Sequence, residues 1–466
     1  MKMRKFSIPS SFVSVCWFSS LFAICLFSFL YLHPRDADNC LNILKINSSD
    51  TIISQSSKYD VSNETNLTPN VTNLVPMTES KSNDSVIELP TSNQDAPVAA
   101  SNEPPPSNPT SNQVDGYDPT KIEEESDEEY DKIPSIDVFA NPPWNCSREE
   151  RILWLKEKLQ ESKLVKSTSR TQNIDEKIQV FLTNCRVRIF LTWIYPANLF
   201  GKREIFALES MLKAHFEGCV VILSRSMDSN PGRSILKPIL DRGLKVLTLA
   251  PDFHYLFSET PAQGWFERLE SGEVDPGTVP ITVNLSNLLR LAVLYKYGGV
   301  YFDSDMIIIK DVSGLRNMIG VDSVDRGMRS WQTVGNAVLI FDKGHPLLWR
   351  FMEEFTWNFD GFKWGFGPEM ATRAVSKAVN DSNFHFHVMV PLGFYPIDPI
   401  SITRLFEKPS KNGPNWVKNK FGEINGESYG IHLWNRQTHG LKIEKKSVIG
   451  RLISNHCILC QDVYDS

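Results

Sequence analysis

The sequence predicts an α/β fold built on a mostly parallel sheet, held behind a membrane anchor and a disordered stem. Three observations carry that expectation. From Arg186 onward, short apolar runs of strand length alternate with segments of helical periodicity. Ser11 to Leu32 is a 22-residue run without a charged side chain. Between the two lies a long polar, acidic stretch with too little apolar surface to form a core.

The chain has 466 residues, of which 41% are hydrophobic and 22% charged, which excludes collagen-like, small disulfide-scaffold and multi-span membrane classes. Its formal net charge of −6 averages over opposite parts. His33 to Pro142 carries 6 basic against 20 acidic side chains, whereas Pro143 onward carries 40 against 35. No basic tract suggests a nucleic-acid partner, and the mildly basic folded part suits an anionic small ligand or, equally, a nearby membrane surface.

Residues 11–32 are long enough as a helix, about 33 Å, to cross a hydrocarbon core of about 30 Å. Lys2, Arg4 and Lys5 precede the run, so residues 1–10 read as a cytosolic tail and everything after Leu32 as lumenal. A cleaved signal peptide is the rival reading, but its apolar region is usually about 7–15 residues and ends in small side chains. Residues 33–143 then form the stem. Asn47, Asn63, Asn66, Asn70, Asn83 and Asn145 each begin an Asn-x-Ser/Thr acceptor pattern, in keeping with a lumenal glycoprotein. Residues 144–185 read as a helical neck. Ser147 and Glu150 make a capping box, and Ile152, Leu155 and Leu159 share one face. That face either packs on the following domain or joins two copies as a homodimer.

Of the eight cysteines, Cys457 and Cys460 have half of a zinc-site spacing, but no second pair completes it. Disulfides are expected in an oxidising lumen, with the connectivity open.

Residues 186–460 form the folded domain, followed by a tail at 461–466. Val187 to Ile194, Cys219 to Leu223 and Leu244 to Leu249 read as strands; Arg203 to His215 and Ser234 to Asp241 read as helices. In such sheets ligands lie beyond the carboxyl ends of the strands. Ser286 or Asn287 is expected to cap a helix carrying Leu288, Leu289, Arg290, Leu291, Ala292 and Leu294, ended by Gly298-Gly299. Val300-Tyr301-Phe302 is a short strand, and Asp303-Ser304-Asp305 falls at its carboxyl end. Two carboxylates one residue apart at a turn can share a hard divalent cation, Mg²⁺ or Mn²⁺, with a diphosphate. The pattern alone is weak, since Asp36-Ala37-Asp38 repeats it in the stem; the helix, the paired glycines and the strand distinguish the second copy.

The stretch SNLLRLAVLYKYGGVYFDSD resembles the sugar-binding region of the α-1,4-glycosyltransferases with a DXD motif, plant members above all. The likeness runs from Ile189 to Cys460 and includes IFLTW, ALES at Ala207 to Ser210, NAVLIFD at Asn336 to Asp342, Gly367-Pro368 and IHLWN at Ile431 to Asn435. It implies a GT-A-like nucleotide-sugar fold in a single-pass type II Golgi membrane enzyme. The implied reaction transfers a sugar, with retention, from a nucleotide sugar (a UDP-sugar first of all) to a glycan or glycolipid. By this resemblance Asp303, Asp305 and His432 hold Mn²⁺ or Mg²⁺. Asn336, Gly367 and Pro368 contact the donor, and Thr192 and Trp193 face its nucleoside. Arg290 either adds positive charge to the catalytic centre or pairs with an acid. Trp434 either stacks on a sugar or packs in the core.

Asn287 stands where many relatives outside plants carry Asp, a trait shared by plant members, and two further sites depart from the plant pattern as well. Gly335 stands where a second Asn commonly precedes Asn336, and Trp364-Gly365-Phe366 stands where plant relatives have a His-Asn pair. The last two departures support the alternative reading of a catalytically inactive glycan-binding or Golgi-enzyme-organising relative. A phosphatase of the haloacid-dehalogenase type also uses Asp-x-Asp, but it places the pair near the start of its fold. Here more than a hundred domain residues come first.

Overall fold

Side chains along Val187–Thr192 alternate between two cores, the signature of a strand buried on both faces. The computed structural model describes residues 74–75, 145–162, 164–165, 171–325, 330–362, 367–410 and 413–465, all within the unit Thr65–Ser466. The expected cytosolic tail, membrane anchor, most of the stem and the Trp364-Gly365-Phe366 segment lie outside these residues. Among the described residues, no helix is long and apolar enough to cross a membrane.

The strands are β1 (Leu74–Val75), β2 (Val187–Thr192), β3 (Gly218–Leu223), β4 (Val246–Leu249), β5 (Gly299–Phe302), β6 (Met306–Ile308), β7 (Met318–Asp325), β8 (Ser330–Phe341), β9 (His387–Met389) and β10 (Gly430–His432). The helices are α1 (Arg148–Ser162), α2 (Ile174–Leu182), α3 (Lys202–Ala214), α4 (Asn230–Leu240), α5 (Phe253–Phe257), α6 (Ala262–Ser271), α7 (Ile281–Tyr297), α8 (Pro346–Asn358), α9 (Pro368–Ala378), α10 (Pro414–Glu427), α11 (Asn435–Thr438) and α12 (Val448–His456). The main sheet runs β1-β9-β7-β8-β5-β2-β3-β4, and β6 pairs with β10 in a separate ribbon. All pairings in the main sheet are parallel except those of β8 with β5 and β7. The expected α/β class with a mostly parallel sheet is the one observed. The antiparallel β7–β8 pair, wedged into its middle, was not anticipated.

Period-two alternation builds the two cores. Cys219, Val221 and Leu223 of β3 join the cluster under α5–α9, while Val220 and Ile222 join the one under α3, α4 and α12. Burying each such aliphatic side chain contributes about 1.5–3 kcal/mol. The sheet is thereby clamped from both sides, which holds its strand ends rigid enough to carry a site.

Two sequence expectations change at the helices. Helix α7 begins at Ile281, so Ser286 and Asn287 lie in its second turn and cap nothing. Ser286 instead turns its hydroxyl to Thr192 of β2, at 2.7 Å. The neck helix α1 opens with the expected capping box: Ser147 N–H donates to Glu150 Oε2 at 2.7 Å and Glu150 N–H to Ser147 Oγ at 3.3 Å. Its Trp154, Leu155 and Leu159 are buried in the domain core, and Arg151 forks onto both oxygens of Asp275. The apolar face that a self-association helix would need is therefore covered within the chain.

Two disulfides are seen among the described residues, one of them between near neighbours. Cys185 joins Cys219, and Cys457 joins Cys460. The second bond removes the thiolates a half-zinc site would require. Glu209 Oε2 instead accepts the backbone N–H groups of Ile458, Leu459 and Cys460 at 2.7, 2.9 and 3.3 Å, tying α3 to the loop that carries the bond.

Candidate functional site

Two glycines set the start of β5. Gly298 and Gly299 have φ of 65° and 121°, and a Cβ on them would lie 2.5 Å from Lys343 N and from Arg188 O respectively. Only glycine permits that turn and that approach. Strand β5 then runs parallel to β2, Val300 opposite Ile189 and Tyr301 opposite Phe190, so Thr192 and Asp303 emerge at the same edge of the sheet.

Asp305 follows one turn later, at the start of β6. Antiparallel pairing sets His432 of β10 opposite Met306 and so brings the imidazole to the acid pair. His432 Nε2 lies 3.0 Å from Asp305 Oδ1, and Asn435 N–H donates to Asp305 Oδ2 at 2.9 Å. Trp434, between them, sits in the left-handed region at φ 54°, a strained conformation that turns the chain sharply enough to place Asn435. One ligand atom each from Asp303, Asp305 and His432 fall within 4.8 Å of one another.

Arg290 reaches the same place from α7. Its Nη1 lies 3.0 Å from Asp303 Oδ1 and donates to the Asn336 carbonyl at 2.9 Å, with the guanidinium 4.6 Å over the Tyr301 ring. Only 7% of the Arg290 side chain is exposed. Burial opposes its charge, but Asp303 and Tyr301 outweigh that and keep it protonated. Tyr301 O–H donates to Asp303 Oδ1 at 2.8 Å and also meets Thr192 Oγ1 at 2.8 Å. Thr192, Ser286, Tyr301, Asp303 and Arg290 thus form one continuous hydrogen-bonded chain across three elements.

Burial works against the charged forms of both Asp305 and His432, yet their mutual attraction prevails. Asp305 is held below the ordinary carboxylate range and His432 above the usual imidazole value. Glu204 is pushed up by burial; its Oε1 accepts from Asn435 Nδ2 at 3.1 Å, so Asn435 links it to Asp305.

Chemically, these residues fit a hard divalent cation. Two carboxylates and an imidazole make a ligand set that Mn²⁺ accepts, and among the described residues the buried His432 Nδ1 finds no hydrogen-bond partner. Asp303 Oδ2 also has no hydrogen bond among the described residues, because Arg290 and Tyr301 both address Oδ1.

Asn336 lies in an irregularity of β8. Between the pairs Ile319–Leu339 and Val321–Val334, β8 carries three more residues than β7, and this bulge takes Asn336 out of the regular ladder. Its Nδ2 lies 3.5 Å from Asn287 Oδ1 of α7. Tyr395 fills the space beneath: a Cβ at Gly335 would lie 2.4 Å from its Cζ, and one at Gly320 2.8 Å from its Cε2. The missing side chain at position 335 is therefore replaced by an aromatic ring. Tyr395 also meets His432 edge to face, ring centroids 5.8 Å apart.

The remaining candidates are placed as follows. Trp193 is buried against Phe200 and donates its indole N–H to the Pro196 carbonyl at 3.2 Å. Trp434 stands 4.3 Å from His432, ring to ring, and donates to the Ile397 carbonyl at 3.0 Å. Gly367 and Pro368 open α9, whose Thr372 hydroxyl accepts the N–H of Val334, next to the bulge. Sequence reasoning assigned no role to Tyr301, Asn435, Glu204 or Tyr395. The first two sit inside motif blocks that could have flagged them; the last two carry no local signal.

Residues 201–324 match the glycosyltransferase sugar-binding region containing DXD motif, and residues 340–464 match the alpha 1,4-glycosyltransferase conserved region. An uncharacterized protein of Arabidopsis thaliana is 30% identical over 291 residues, covering 60% of this chain, which spans only 43% of that relative. Human lactosylceramide 4-alpha-galactosyltransferase is 25% identical over 268 residues, 54% of this chain and 70% of that protein. Human alpha-1,4-N-acetylglucosaminyltransferase is 26% identical over 223 residues, 44% and 58% of the two chains. Among solved structures, PaToxG glycosyltransferase is similar at 17% identity and a TM-score of 0.31, over 44% of this chain and 75% of that one. Residues 201–324 and 340–464 thus carry the two matched regions of α-1,4-glycosyltransferases, and Asp303-Ser304-Asp305 is the Asp-x-Asp within the first.

Proposed function

We propose that the chain is a metal-dependent, retaining glycosyltransferase. It would transfer a hexose or N-acetylhexosamine from a nucleotide sugar, in the first place a UDP-sugar, to a glycan or glycolipid acceptor in the Golgi lumen. The observation that carries this reading is the meeting of Asp303, Asp305 and His432 at the strand ends beside Thr192. The relatives named for α-linked transfer support retention, because nucleotide hexoses commonly hold the sugar in α linkage already.

When bound, a divalent cation supplies Lewis-acid neutralisation of the charge that grows on the departing diphosphate. Each nearby side chain has its own task. Arg290 adds a fixed positive charge in a buried setting, where it needs no reorganisation as charge develops. Tyr301 and Thr192 hold Asp303 in one orientation, and the Asn435 amide does so for Asp305. Asn336, lifted out of the ladder, presents its amide to the donor sugar. Trp434, Gly367 and Pro368 would serve as donor contacts, while Trp193 backs the strand end that would face the nucleoside.

Full-length protein in detergent, incubated with Mn²⁺ and UDP-galactose, UDP-glucose, UDP-N-acetylhexosamines and GDP-mannose, tests the proposal. Slow hydrolysis of one donor, abolished by Asp305→Ala, is the expected result. Glycan binding without hydrolysis of any donor would instead favour a catalytically inactive glycan-binding relative.

A further inference from the structure

At the opposite end of β5 from Asp303, an open cavity of about 500 Å³ lies between α7, α8 and α9. The length of β5, about 13 Å of strand, separates it from the acid pair. Its volume falls within the range of small-molecule sites, about 300–1,000 Å³. Tyr295, Trp349 and Phe384 give it aromatic surface, with the Tyr295 and Trp349 rings 5.7 Å apart. Trp349 is 37% exposed, a large apolar ring left open to solvent.

The polar groups around these rings are arranged, not scattered. Glu353 Oε1 accepts the Trp349 indole N–H at 3.1 Å, and Glu353 Oε2 accepts from Arg350 at 2.9 Å. One carboxylate thus fixes the aromatic ring and the guanidinium together. Arg350 also lies 5.4 Å over the ring of Trp357, itself 66% exposed two turns along the same helix. Lys377 and Asp381 complete the wall, so the lining holds two cations and two anions.

That balance selects among ligands. A phosphate or an anionic lipid surface calls for a net positive lining, and an acyl chain or peptide helix for a continuous apolar groove. A sugar ring has an apolar C–H face for an aromatic platform and an edge of hydroxyls that both donate and accept. Charged side chains of both signs match those hydroxyls without selecting net charge. We propose that this cavity is a second, non-catalytic binding site for a neutral carbohydrate, with Trp349 as its platform and Glu353 as the residue that sets the platform's orientation. On a glycan-modifying chain it would hold a distal part of a long acceptor.

Binding does not depend on turnover, so the proposal stands or falls separately from the transferase reading. Full-length protein in detergent is titrated with cellotetraose, chitotetraose and lactose-terminated oligosaccharides, following tryptophan emission and heat. Saturable binding to at least one is expected. It should weaken about tenfold or more in Trp349→Ala and in Glu353→Gln, while persisting in Asp305→Ala and leaving donor hydrolysis and thermal melting unchanged. The absence of saturable binding overturns the proposal. So does binding that survives both α8 variants, or that is lost only in Asp305→Ala. Binding of inorganic phosphate, anionic vesicles or a protein partner at Trp349, with no oligosaccharide bound, overturns the carbohydrate assignment.

Discussion

Asp305 and His432 stand 127 positions apart in the chain and meet at 3.0 Å. The contact exists because β10 pairs with β6, which begins at the residue after Asp305. A three-residue ribbon therefore decides whether the acid pair gains its imidazole.

Arg290 is buried at 7% exposure while its partner Asp303 keeps 25%, so removing the cation leaves a partly solvated carboxylate still held by Tyr301. Arg290→Met should cost about 1–3 kcal/mol of stability, read as a shift in the urea midpoint. Arg290→Lys should recover only part of it, because one ammonium cannot serve both Asp303 and the Asn336 carbonyl from a single fork.

Gly335 and Tyr395 share one volume. Gly335→Ala should destabilise by about 1–3 kcal/mol, since its methyl would press on the phenol carbon 2.4 Å away. Tyr395→Leu in the same chain should recover part of that loss, a coupling that a double-mutant cycle detects. Gly264 of α6, where an added Cβ meets nothing within 4 Å, is the control. Gly264→Ala should stabilise by about 0.5–1 kcal/mol.

Glu354 of α8 is 2% exposed and pairs with Arg373 at 2.9 Å and Lys377 at 3.0 Å on α9. Burial would raise its carboxyl, but the two cations more than offset this and hold it below its ordinary value of 4.5. A depressed folded-state value contributes stability above pH 4.5, lost as pH falls through the folded value. Glu354→Gln should accordingly cost about 1–3 kcal/mol at neutral pH, and the difference from wild type should shrink in acid. Urea titrations at pH 7 and below pH 4 check the sign.

Asn284-Leu285-Ser286 has the form of a glycosylation sequon, but Asn284 is 0% exposed in the second half-turn of α7. Asn145, at the foot of the neck, is exposed. Mass spectrometry of active protein from a secretory host should find Asn284 unmodified. A stably occupied Asn284 in active material would contradict the placement of α7.

Local signals were legible in the sequence and distant ones were not. The Ser147–Glu150 box, the Gly298-Gly299 break and the apolar runs at Val187 and Cys219 each act within a few residues, and each is found where its chemistry places it. Ser286 misled because a good capping residue says nothing about whether its hydroxyl has a better partner across the sheet. The β7–β8 pair was missed since its bulge breaks the alternation that marks a strand. Tyr395 and Glu204 became visible only when folding brought Gly335 and Asn435 beside them.

The most direct test of the site is cation uptake. Full-length protein is titrated with Mn²⁺ and then Mg²⁺ by calorimetry, with and without UDP. Saturable uptake of at least one ion, strengthened by UDP, is expected, with weakening of about 10–100-fold in His432→Gln and loss in Asp305→Ala. Correctly folded wild-type protein that takes up neither ion, alone or with nucleotide, would contradict the account.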